Sequence, residues 1–253
     1  MKISIITPTY NSEKDILRTI KSIKKQNIHN KECFFIDAKS EDNTIKIIKK
    51  NIKYKKIVSE KDKGIYDAIN KGIKISKDSI VSILHSNDNY YSNNTLKHII
   101  KTFKKYDVNL IFGNLVYRKN NGKILRKWIS LSKSKKNKIL YKKDFIRLLK
   151  QGWMPPHPAV FMKKSLIKSV GKYDLKYSIS SDYDYLIRIF KSEELKALYV
   201  DKMLISMSWG GKSNQVENIY KKMSQDLNII KKNNVGGVTT LLMKNISKLK
   251  QFF

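Results

Sequence analysis

The stretch SIVSILHSND, residues 79–88, decides the fold that we expect for this chain. Residues 79–84 are mostly apolar and predict a short buried strand, which stops in a polar turn with the carboxylate of Asp88 at its tip. Ligands bind beyond the carboxyl ends of the strands in an open α/β sheet. A lone Asp at such a place can hold a divalent cation, and the cation can hold a diphosphate. The alternative is a solvated turn, because Ser, Asn and Asp are ordinary turn residues.

Short strands alternate with helices on both sides of this stretch. In the first half, the hydrophobic pattern predicts strands over residues 2–7, 32–37, 56–59 and 79–84 and helices over residues 12–25, 41–50, 65–75 and 93–106. In the second half, it predicts strands over residues 109–116, 159–162, 197–200 and 203–208, helices over residues 181–191 and 214–232, and a lysine-rich loop over residues 128–143. Strands separated by helices indicate an α/β protein, with a parallel sheet and helices on both faces.

The charge of the chain is extreme. Its 253 residues include 53 Lys and Arg against 21 Asp and Glu, which gives a formal net charge of +32. The electrostatic field of such a positive charge attracts polyanions, namely nucleic acid, anionic lipid or phosphorylated substrates. The heavy use of Lys, Asn and Ile throughout the chain has a second explanation, because it is typical of proteins encoded by AT-rich genomes.

The cysteine content and the lengths of the apolar stretches indicate in which cellular compartment the protein is expected. Cys33 is the single cysteine, so no disulfide can form within the chain, and a reducing compartment is expected. The first residues lack the long apolar region of a signal peptide. No apolar stretch reaches the length of about 18 residues that a transmembrane helix needs, so we expect none.

The first two predicted strands also end in groups that can bind a ligand. Pro8 fixes the backbone after the first strand, so that Thr9 and Tyr10 can present a hydroxyl group and an aromatic face. Asp37 ends the second strand, and its acceptor oxygens suit the N–H of a uracil ring or a ribose hydroxyl. Each of these residues alone could be a turn residue. Together with Asp88, they make three strand ends of this kind, which favours a binding site.

Four motifs occur in an order that resembles the family 2 glycosyltransferases. They read P-T-Y-N from Pro8, I-D-x-x-S-x-D-x-T from Ile36, S-E-x-D-K-G-I-Y-D-A-I-N-K-G from Ser59, and L-x-S-N-D from Leu84. The resemblance covers residues 1–210. It implies the GT-A fold, a Rossmann-like α/β domain with a mixed central sheet flanked by helices, and transfer from a nucleotide-activated sugar with inversion of the anomeric centre. The subgroup that it looks most like builds bacterial surface polysaccharides such as O-antigen and capsule.

The resemblance assigns the donor site by position. The residues that would hold the uridine are Pro8, Thr9, Tyr10 and Asp37, and those near the nucleotide or the donor sugar are Lys63, Gly64 and Asn70. Gly64 opens a predicted helix whose N-terminus suits a phosphate. The acidic metal motif of the family falls on Asn87 and Asp88, so that Asp88 would bind Mn²⁺ or Mg²⁺. Asn87 departs from the family pattern, which has an acidic residue there.

The second half supplies a candidate base. An inverting transfer needs one base on the acceptor hydroxyl. By resemblance that residue is Asp182, with Ser181 in place of an acidic neighbour, and Asp184 is the second choice. Asp182 opens a predicted helix, so a role as a helix cap is the alternative.

Further candidates lie on the acceptor side of the site. They are His157, Asp184, Trp209 and Lys212. By resemblance His157 lines the acceptor side of the cleft, although a histidine between prolines is equally a packed loop residue. Lys212 lies in a loop that could close on the diphosphate, and Trp209 could stack on a sugar ring or pack in the core.

The resemblance divides the chain into a GT-A domain and a tail. Residues 1–115 would bind the nucleotide-sugar, residues 116–210 would bind the acceptor, and residues 211–253 would form a basic, amphipathic helical tail. In the tail, residues at helical spacing are apolar, namely Val238, Leu241, Leu242, Ile246, Leu249 and Phe253, with Lys244, Lys248 and Lys250 among them. Such a helix suits an anionic membrane surface. Packing on its own domain or on a partner is the alternative.

These expectations define the partners and the location of the protein. We expect a UDP-sugar donor and a saccharide acceptor linked to undecaprenyl diphosphate or to lipid A core, on the cytoplasmic, inner face of the bacterial plasma membrane. Nucleic acid is not expected, since the Lys residues are dispersed and not interleaved with aromatic residues. A sugar nucleotidyltransferase is the other rival, but it would want a glycine-rich basic loop after the first strand, and residues 7–11 contain no glycine.

Overall fold

The computed structural model describes residues 1–77, 79–119, 121–208, 217–249 and 251. The strands are β1 Ile3–Thr9, β2 Lys31–Asp37, β3 Lys56–Ser59, β4 Ile80–Ile83, β5 Asn89–Tyr90, β6 Leu110–Arg118, β7 Ile124–Trp128, β8 Ile139–Leu140, β9 Val160–Lys163 and β10 Ala197–Ser208. The α-helices are α1 Ile16–Lys24, α2 Thr44–Asn51, α3 Ile65–Ile75, α4 Thr95–Lys105, α5 Lys142–Lys150, α6 Lys164–Val170, α7 Ser181–Phe190, α8 Glu217–Lys232 and α9 Val238–Leu249.

One mixed sheet contains all of these strands. Its central order is β3-β2-β1-β4-β9-β6-β10-β5, with β7 beside β6 and β8 beside β10. The pairs among β1, β2, β3 and β4 are parallel, and so is the pair of β6 and β10, whereas β9 runs antiparallel between β4 and β6. The carboxyl ends of β1, β2, β3, β4, β6 and β10 therefore meet at one edge of the sheet. The prediction of an α/β fold with a mixed central sheet is confirmed.

Helices cover both faces of the sheet because its inner strands are apolar on both sides. Ile5 and Phe35 pack into one core together with α1, and their neighbours Ile6 and Ile36 pack into a second core together with α3. Successive residues of a strand point to opposite faces, so a run of apolar residues serves both cores at once. This burial holds β1 and β2 rigidly, and the polar ends of these strands are consequently fixed in space.

The second half of the chain differs from the sequence prediction in three places. The loop predicted over residues 128–143 is wrong in part, because β8 lies within it and α5 begins at Lys142. The strands predicted over residues 197–200 and 203–208 form the single strand β10, which keeps its pairing with β6 across a register shift. Helix α6 was not predicted. In the described residues, no helix is long and apolar enough to cross a membrane.

Helix α9 packs on the rest of the chain along one face. Leu241 is buried in the same core as Tyr183 of α7, and the Thr240 hydroxyl donates to the carbonyl of Lys150 over 2.8 Å. The Lys244 ammonium is also buried, where it pairs with Asp226 of α8 over 2.8 Å. The expectation that Lys244 belongs to a membrane-facing basic surface is therefore wrong, because this side chain points into the protein. The division of the chain at residue 210 stays a prediction.

Gly152 makes the close approach of α9 possible. Its φ is +72°, and a Cβ atom on it would lie 2.6 Å from both the Thr240 carbonyl oxygen and the Lys244 amide nitrogen. These are backbone atoms of a helix, so they can move away only if α9 itself moves. An L-residue at this position would in addition adopt a backbone conformation that is unfavourable for it.

We expect Gly152→Ala to displace α9 from the domain. The loss in free energy of unfolding should be about 3 kcal/mol or more, from backbone strain and overpacking together. Gly122→Ala is the matched control, because Gly122 also has a positive φ, of +84°, but nothing lies within 4 Å of an added Cβ atom. Urea unfolding of both variants measures the difference. Equal losses for the two variants would mean that α9 does not depend on this contact.

Candidate functional site

Candidate site residues lie at or just beyond the carboxyl ends of β2, β4 and β6. Asp37 ends β2, Asp88 follows β4, and Tyr117 lies near the end of β6. Asp182, in the first turn of α7, approaches from the second half of the chain. Burial raises the pKa of Tyr117 to about 12, and the carboxylates of Asp88 and Asp182 both contribute to that rise. The contact that places Tyr117 is with Arg126 of β7, whose guanidinium lies 4.8 Å from the centre of the Tyr117 ring.

Asp37 is buried, and both of its carboxylate oxygens accept hydrogen bonds from other residues of the chain. Its Oδ1 accepts hydrogen bonds from the Thr9 hydroxyl over 3.0 Å and the Ser40 hydroxyl over 2.5 Å. Its Oδ2 accepts from the Ser40 amide over 2.9 Å and from the Ser59 hydroxyl over 2.7 Å. A carboxylate has about four acceptor positions in total, so a uracil N–H would have to share or replace one of these donors. Contact between Asp37 and uridine stays a prediction.

The other residues predicted to bind uridine lie beside Asp37. Pro8 and Thr9 are buried in β1, and the Thr9 hydroxyl is directed to Asp37. Tyr10 is 53% exposed at the same edge of the sheet. Tyr10 therefore presents a partly exposed aromatic ring, and a nucleotide base can stack on such a ring.

The start of α3 carries the next three predicted residues. Gly64 has a φ of +108°, and nothing lies within 4 Å of an added Cβ atom, so only the backbone turn requires glycine there. The Gly64 amide donates to Asp62, and the amide of the exposed Lys63 donates to Asp67. Asn70 lies further along the helix and is engaged elsewhere. Its amide group forms two hydrogen bonds, of 2.9 and 3.0 Å, with the backbone of Tyr173, so it links α3 to the second half of the chain.

Asp88 is the carboxylate best placed for a cation. It is buried, and its Oδ2 has no hydrogen-bond partner among the described residues. Burial raises the pKa of Asp88 to about 7, although the nearby Arg18 guanidinium opposes this. Arg18 donates to the side-chain oxygen of Asn87 over 2.6 Å and also bonds the Ser208 hydroxyl. The side chain of Asn87 is therefore fixed by a hydrogen bond from Arg18. Asn87 occupies the position where the metal motif described above has an acidic residue.

The metal-ligating groups around Asp88 suit a cation that is bound mainly by the phosphates of a substrate. Within the described part of the chain, no three His, Cys, Asp or Glu side chains come together as a metal site. Mg²⁺ is commonly bound through one or two carboxylates, water and substrate phosphates. The unpartnered Oδ2 of Asp88 is suited to that arrangement.

Asp182 is half-buried and is held by two donors. Its Oδ1 accepts from the Tyr66 hydroxyl over 3.1 Å and from the Tyr183 amide over 2.9 Å. Burial by itself would raise the pKa of Asp182, but His157, Lys222, Lys244 and the bond from Tyr66 together hold it below the ordinary value. Asp182 is therefore a carboxylate at neutral pH, which is the state that can accept a proton.

His157 is buried, and His85 packs beside it. The His157 Nε2 atom lies 2.7 Å from the Tyr173 hydroxyl, and the two imidazole rings are 6.3 Å apart. Burial lowers the pKa of His157, and burial together with His157 lowers the pKa of His85 to about 4. Both rings are consequently uncharged at neutral pH. Sequence reasoning missed His85 and Tyr66, although His85 follows the decisive strand directly and Tyr66 lies within the third motif.

Asp184 forms hydrogen bonds in the interior that hold elements of the fold together. It is fully buried, and it accepts hydrogen bonds from Arg188 over 2.8 Å and from Asn233 over 3.1 Å. Arg188 in turn bonds the carbonyls of Val170 and Lys172, so the pair ties α7 to the end of α6. The acceptor-side role of Asp184 stays a prediction that these bonds do not favour. Two other candidates, Trp209 and Lys212, lie outside the described residues.

Comparison with known proteins gives the following similarities. A sequence model described as "Glycosyl transferase family 2" matches residues 4–171. The "PGL/p-HBAD biosynthesis glycosyltransferase" of Mycobacterium tuberculosis is 26% identical over 219 residues, which is 84% of this chain and 79% of the relative. The "UDP-Glc:alpha-D-GlcNAc-diphosphoundecaprenol beta-1,3-glucosyltransferase WfgD" of Escherichia coli is 31% identical over 140 residues, which is 54% of each chain.

Solved structures show the same fold. S. aureus TarS 1-349 in complex with UDP-GlcNAc aligns with a TM-score of 0.67 and 19% identity, over 91% of this chain and 66% of that one. The mannosyltransferase PcManGT from Pyrobaculum calidifontis, in complex with GDP-Man and Mn²⁺, aligns with a TM-score of 0.68 and 15% identity, over 99% of this chain and 72% of that one. Against the longer TarS structure, the chain spans 40% of the length. These similarities confirm the GT-A fold.

Proposed function

Because the chain belongs to the glycosyl transferase family 2, we propose that it transfers a sugar from a UDP-sugar to a saccharide acceptor, with inversion at the anomeric carbon. The sugar would be a hexose or an N-acetylhexosamine. The observation that carries this proposal is the contrast between the carboxylates of Asp88 and Asp182. One carboxylate has a buried oxygen without a partner, and the other is kept ionised by its surroundings. These are the two properties that a cation ligand and a general base need.

The donor site is proposed at the ends of β1, β2 and β4. Tyr10 offers an exposed ring for the base, and Asp37 lies behind it with acceptor oxygens that the uracil or the ribose can share. Asp88 would hold Mn²⁺ or Mg²⁺ when the donor binds, and the cation would offset the charge that develops on the leaving diphosphate. Similar structures contain UDP-GlcNAc in one case and GDP-Man in another, so the choice of nucleotide needs its own test.

Uridine selectivity and metal assistance can be measured together. We expect UDP to bind in the presence of Mn²⁺, and we expect EDTA or Asp88→Asn to weaken binding by roughly tenfold or more, about 1.4 kcal/mol. ADP and GDP should bind more weakly than UDP. Titration calorimetry gives all of these affinities, and Asp107→Asn is the control because Asp107 is exposed and pairs with Lys196. Equal affinity for the three nucleotides would contradict the uridine assignment.

Asp182 is proposed as the general base. Its carboxylate would take the proton of the acceptor hydroxyl while that oxygen bonds to the anomeric carbon and the bond from this carbon to the diphosphate oxygen breaks. The Tyr66 hydroxyl and the Tyr183 amide fix Oδ1, so the orientation of the carboxylate is set before an acceptor arrives. Proton transfer by a positioned base of this kind commonly contributes about 10²–10⁴-fold to the rate.

We expect Asp182→Asn to lower turnover on the order of 10²-fold or more, because an amide cannot accept the proton. UDP affinity and melting temperature should barely change. Asp184→Asn is the matched control, and it should show the opposite pattern, since Asp184 neutralises Arg188 in the core. Removing one partner of a buried ion pair costs about 3–5 kcal/mol, less where the partner is partly exposed, as Arg188 is. Retained turnover in Asp182→Asn would remove Asp182 from this role, and NMR of the product should show inverted configuration.

The acceptor is proposed to be lipid-linked, on the cytoplasmic face of the membrane, in the synthesis of a surface polysaccharide such as O-antigen or capsule. The name of the Escherichia coli relative includes a diphosphoundecaprenol acceptor. Helix α9 supports a membrane contact, because the face that does not pack on the domain exposes Val238, Leu242 and Ile246, each about half accessible. These residues are spaced four apart and lie along one side of the helix.

Liposome flotation tests the membrane contact. We expect binding to vesicles with anionic lipid, strengthened by about 1 kcal/mol for each Lys near the surface. Leu242→Ser combined with Ile246→Ser should reduce flotation and leave the melting temperature unchanged, because both side chains are exposed. Leu17→Ser on α1 is the control, since this exposed leucine belongs to a helix that packs against the other core. If the double variant floats like the native protein, α9 is not the anchor.

A further inference from the structure

The guanidinium group of Arg18 lies beside the turn that carries Asp88. Its Nη2 atom donates to the side-chain oxygen of Asn87 over 2.6 Å and to the Asn87 carbonyl over 3.4 Å, and it also bonds the Ser208 hydroxyl at the end of β10. The hydroxyl of Thr19, the next residue of α1, donates to the Asp88 carbonyl over 2.8 Å. These contacts fix α1 against the turn, so the charge of Arg18 has a defined position next to Asp88.

Arg18 retains hydrogen-bond donors that the protein does not use. Its Nε atom is buried and has no partner among the described residues. Within the described part of the chain, the side-chain hydrogen bonds of Arg18 all come from Nη2, so Nη1 has no acceptor there. The side chain is 41% exposed, so a ligand from solution can contact it. A guanidinium presents five N–H donors, and unused donors in a half-buried position point to an acceptor that a ligand supplies.

The positive charge of Arg18 is only weakly compensated. The nearby carboxylate is that of Asp15, whose Oδ1 lies 3.8 Å from Nη2 and whose side chain is 45% exposed. An exposed ion pair of this kind contributes little. Asn87 is neutral, in the position where the metal motif described above has an acidic residue. A carboxylate at that position could accept two parallel bonds from the guanidinium, whereas the amide oxygen of Asn87 accepts one.

A diphosphate at Asp88 would supply the acceptors that Arg18 lacks. Phosphate oxygens are negatively charged, and a guanidinium matches them through two N–H groups at once. The cation that we propose at Asp88 would contact the same phosphates, so two positive groups would act on one ligand. An acid at position 87 would pair with Arg18 inside the protein, whereas Asn87 leaves the charge for the ligand.

We propose that Arg18 binds the diphosphate of the donor beside Asp88, and that the neutral Asn87 leaves the charge of Arg18 free to do so. Part of the donor affinity is then independent of the metal. The inference rests on the proposed function, since it adds a residue to the same donor site. It concerns the phosphates and not the base, so it applies to any nucleoside diphosphate that the site accepts.

Titration calorimetry with UDP and GDP, in EDTA and in Mn²⁺, is the first arm of the test. We expect Arg18→Gln to weaken the binding of both nucleotides in EDTA about tenfold, because both contain the diphosphate. Lys21→Gln is the matched control, since it removes the charge of an exposed lysine of the same helix, and it should leave both affinities unchanged. Unchanged affinities in Arg18→Gln, or an equal loss in Lys21→Gln, would overturn the proposal.

The second arm places an acid next to Arg18. We expect Asn87→Asp to weaken UDP binding in EDTA, because the new carboxylate pairs with the guanidinium and repels the diphosphate. Mn²⁺ should offset this loss, so the ratio of the affinity in Mn²⁺ to the affinity in EDTA should rise about tenfold. An unchanged ratio would contradict the role that we assign to Asn87.

Uridine separates ligand binding from support of the turn. It contains no phosphate, so Arg18→Gln should leave its affinity unchanged in an NMR titration. Arg18→Lys keeps a positive charge and should recover part of the UDP affinity. Equal losses for uridine and UDP in Arg18→Gln would mean that Arg18 only holds the turn at Asp88, and this result would overturn the proposal.

The same measurements separate this inference from the proposed function. If Arg18→Gln binds UDP and GDP as tightly as the native chain does, the inference alone fails. If Arg18→Gln weakens the binding of both nucleotides but the native chain transfers no sugar from any UDP-sugar, the proposed function alone fails.

Discussion

The hydrogen bond from the Tyr66 hydroxyl to Asp182 is the contact on which the site depends. Tyr66 belongs to α3 in the first half of the chain, and the same hydroxyl lies 2.6 Å from the carbonyl of Ile179, just before α7. Asn70, one turn further along α3, clamps the backbone of Tyr173 with two bonds. Helix α3 also packs on β1 and β2, whose ends carry the residues that we propose for the donor. One helix thus fixes the candidate base relative to the donor site.

Two carboxylates at the same edge of the sheet, Asp37 and Asp88, illustrate how the surroundings of a side chain decide its role. Asp37 receives four hydrogen bonds from Thr9, Ser40 and Ser59, and these donors come from the ends of β1, β2 and β3. Its main physical effect is to hold three strand ends together. Asp88 is as deeply buried but retains an oxygen without a partner, and burial raises its pKa. A buried carboxylate in that state gains from a cation, whereas Asp37 is already satisfied.

The sequence predicts the elements that depend on a local hydrophobic pattern. It does not predict the elements and side-chain contacts that depend on residues far away in the chain. The strands of the first half follow from apolar runs that end in polar turns, and the position of Asp88 follows with them. Strand β8 could not be found, because two residues in a lysine-rich stretch become a strand only by pairing with β10. The burial of Lys244 was missed for the same reason, since its partner Asp226 lies on another helix. Asn70 was assigned to the donor by its motif, yet its contacts depend on a residue 103 positions away.

The total charge of the chain and the charge around Asp182 have different consequences. A net charge of +32 is spread mostly over exposed lysines, where salt screens each charge beyond about 8 Å. That field attracts anions to the whole surface and selects no site. Lys244 differs because the docking of α9 buries it against Asp226, away from water, where electrostatic interactions are stronger. Lys244 also lies 3.2 Å from the centre of the ring of Tyr183, which follows Asp182 in the chain, so the docking of α9 at Gly152 brings a buried positive charge towards the proposed base.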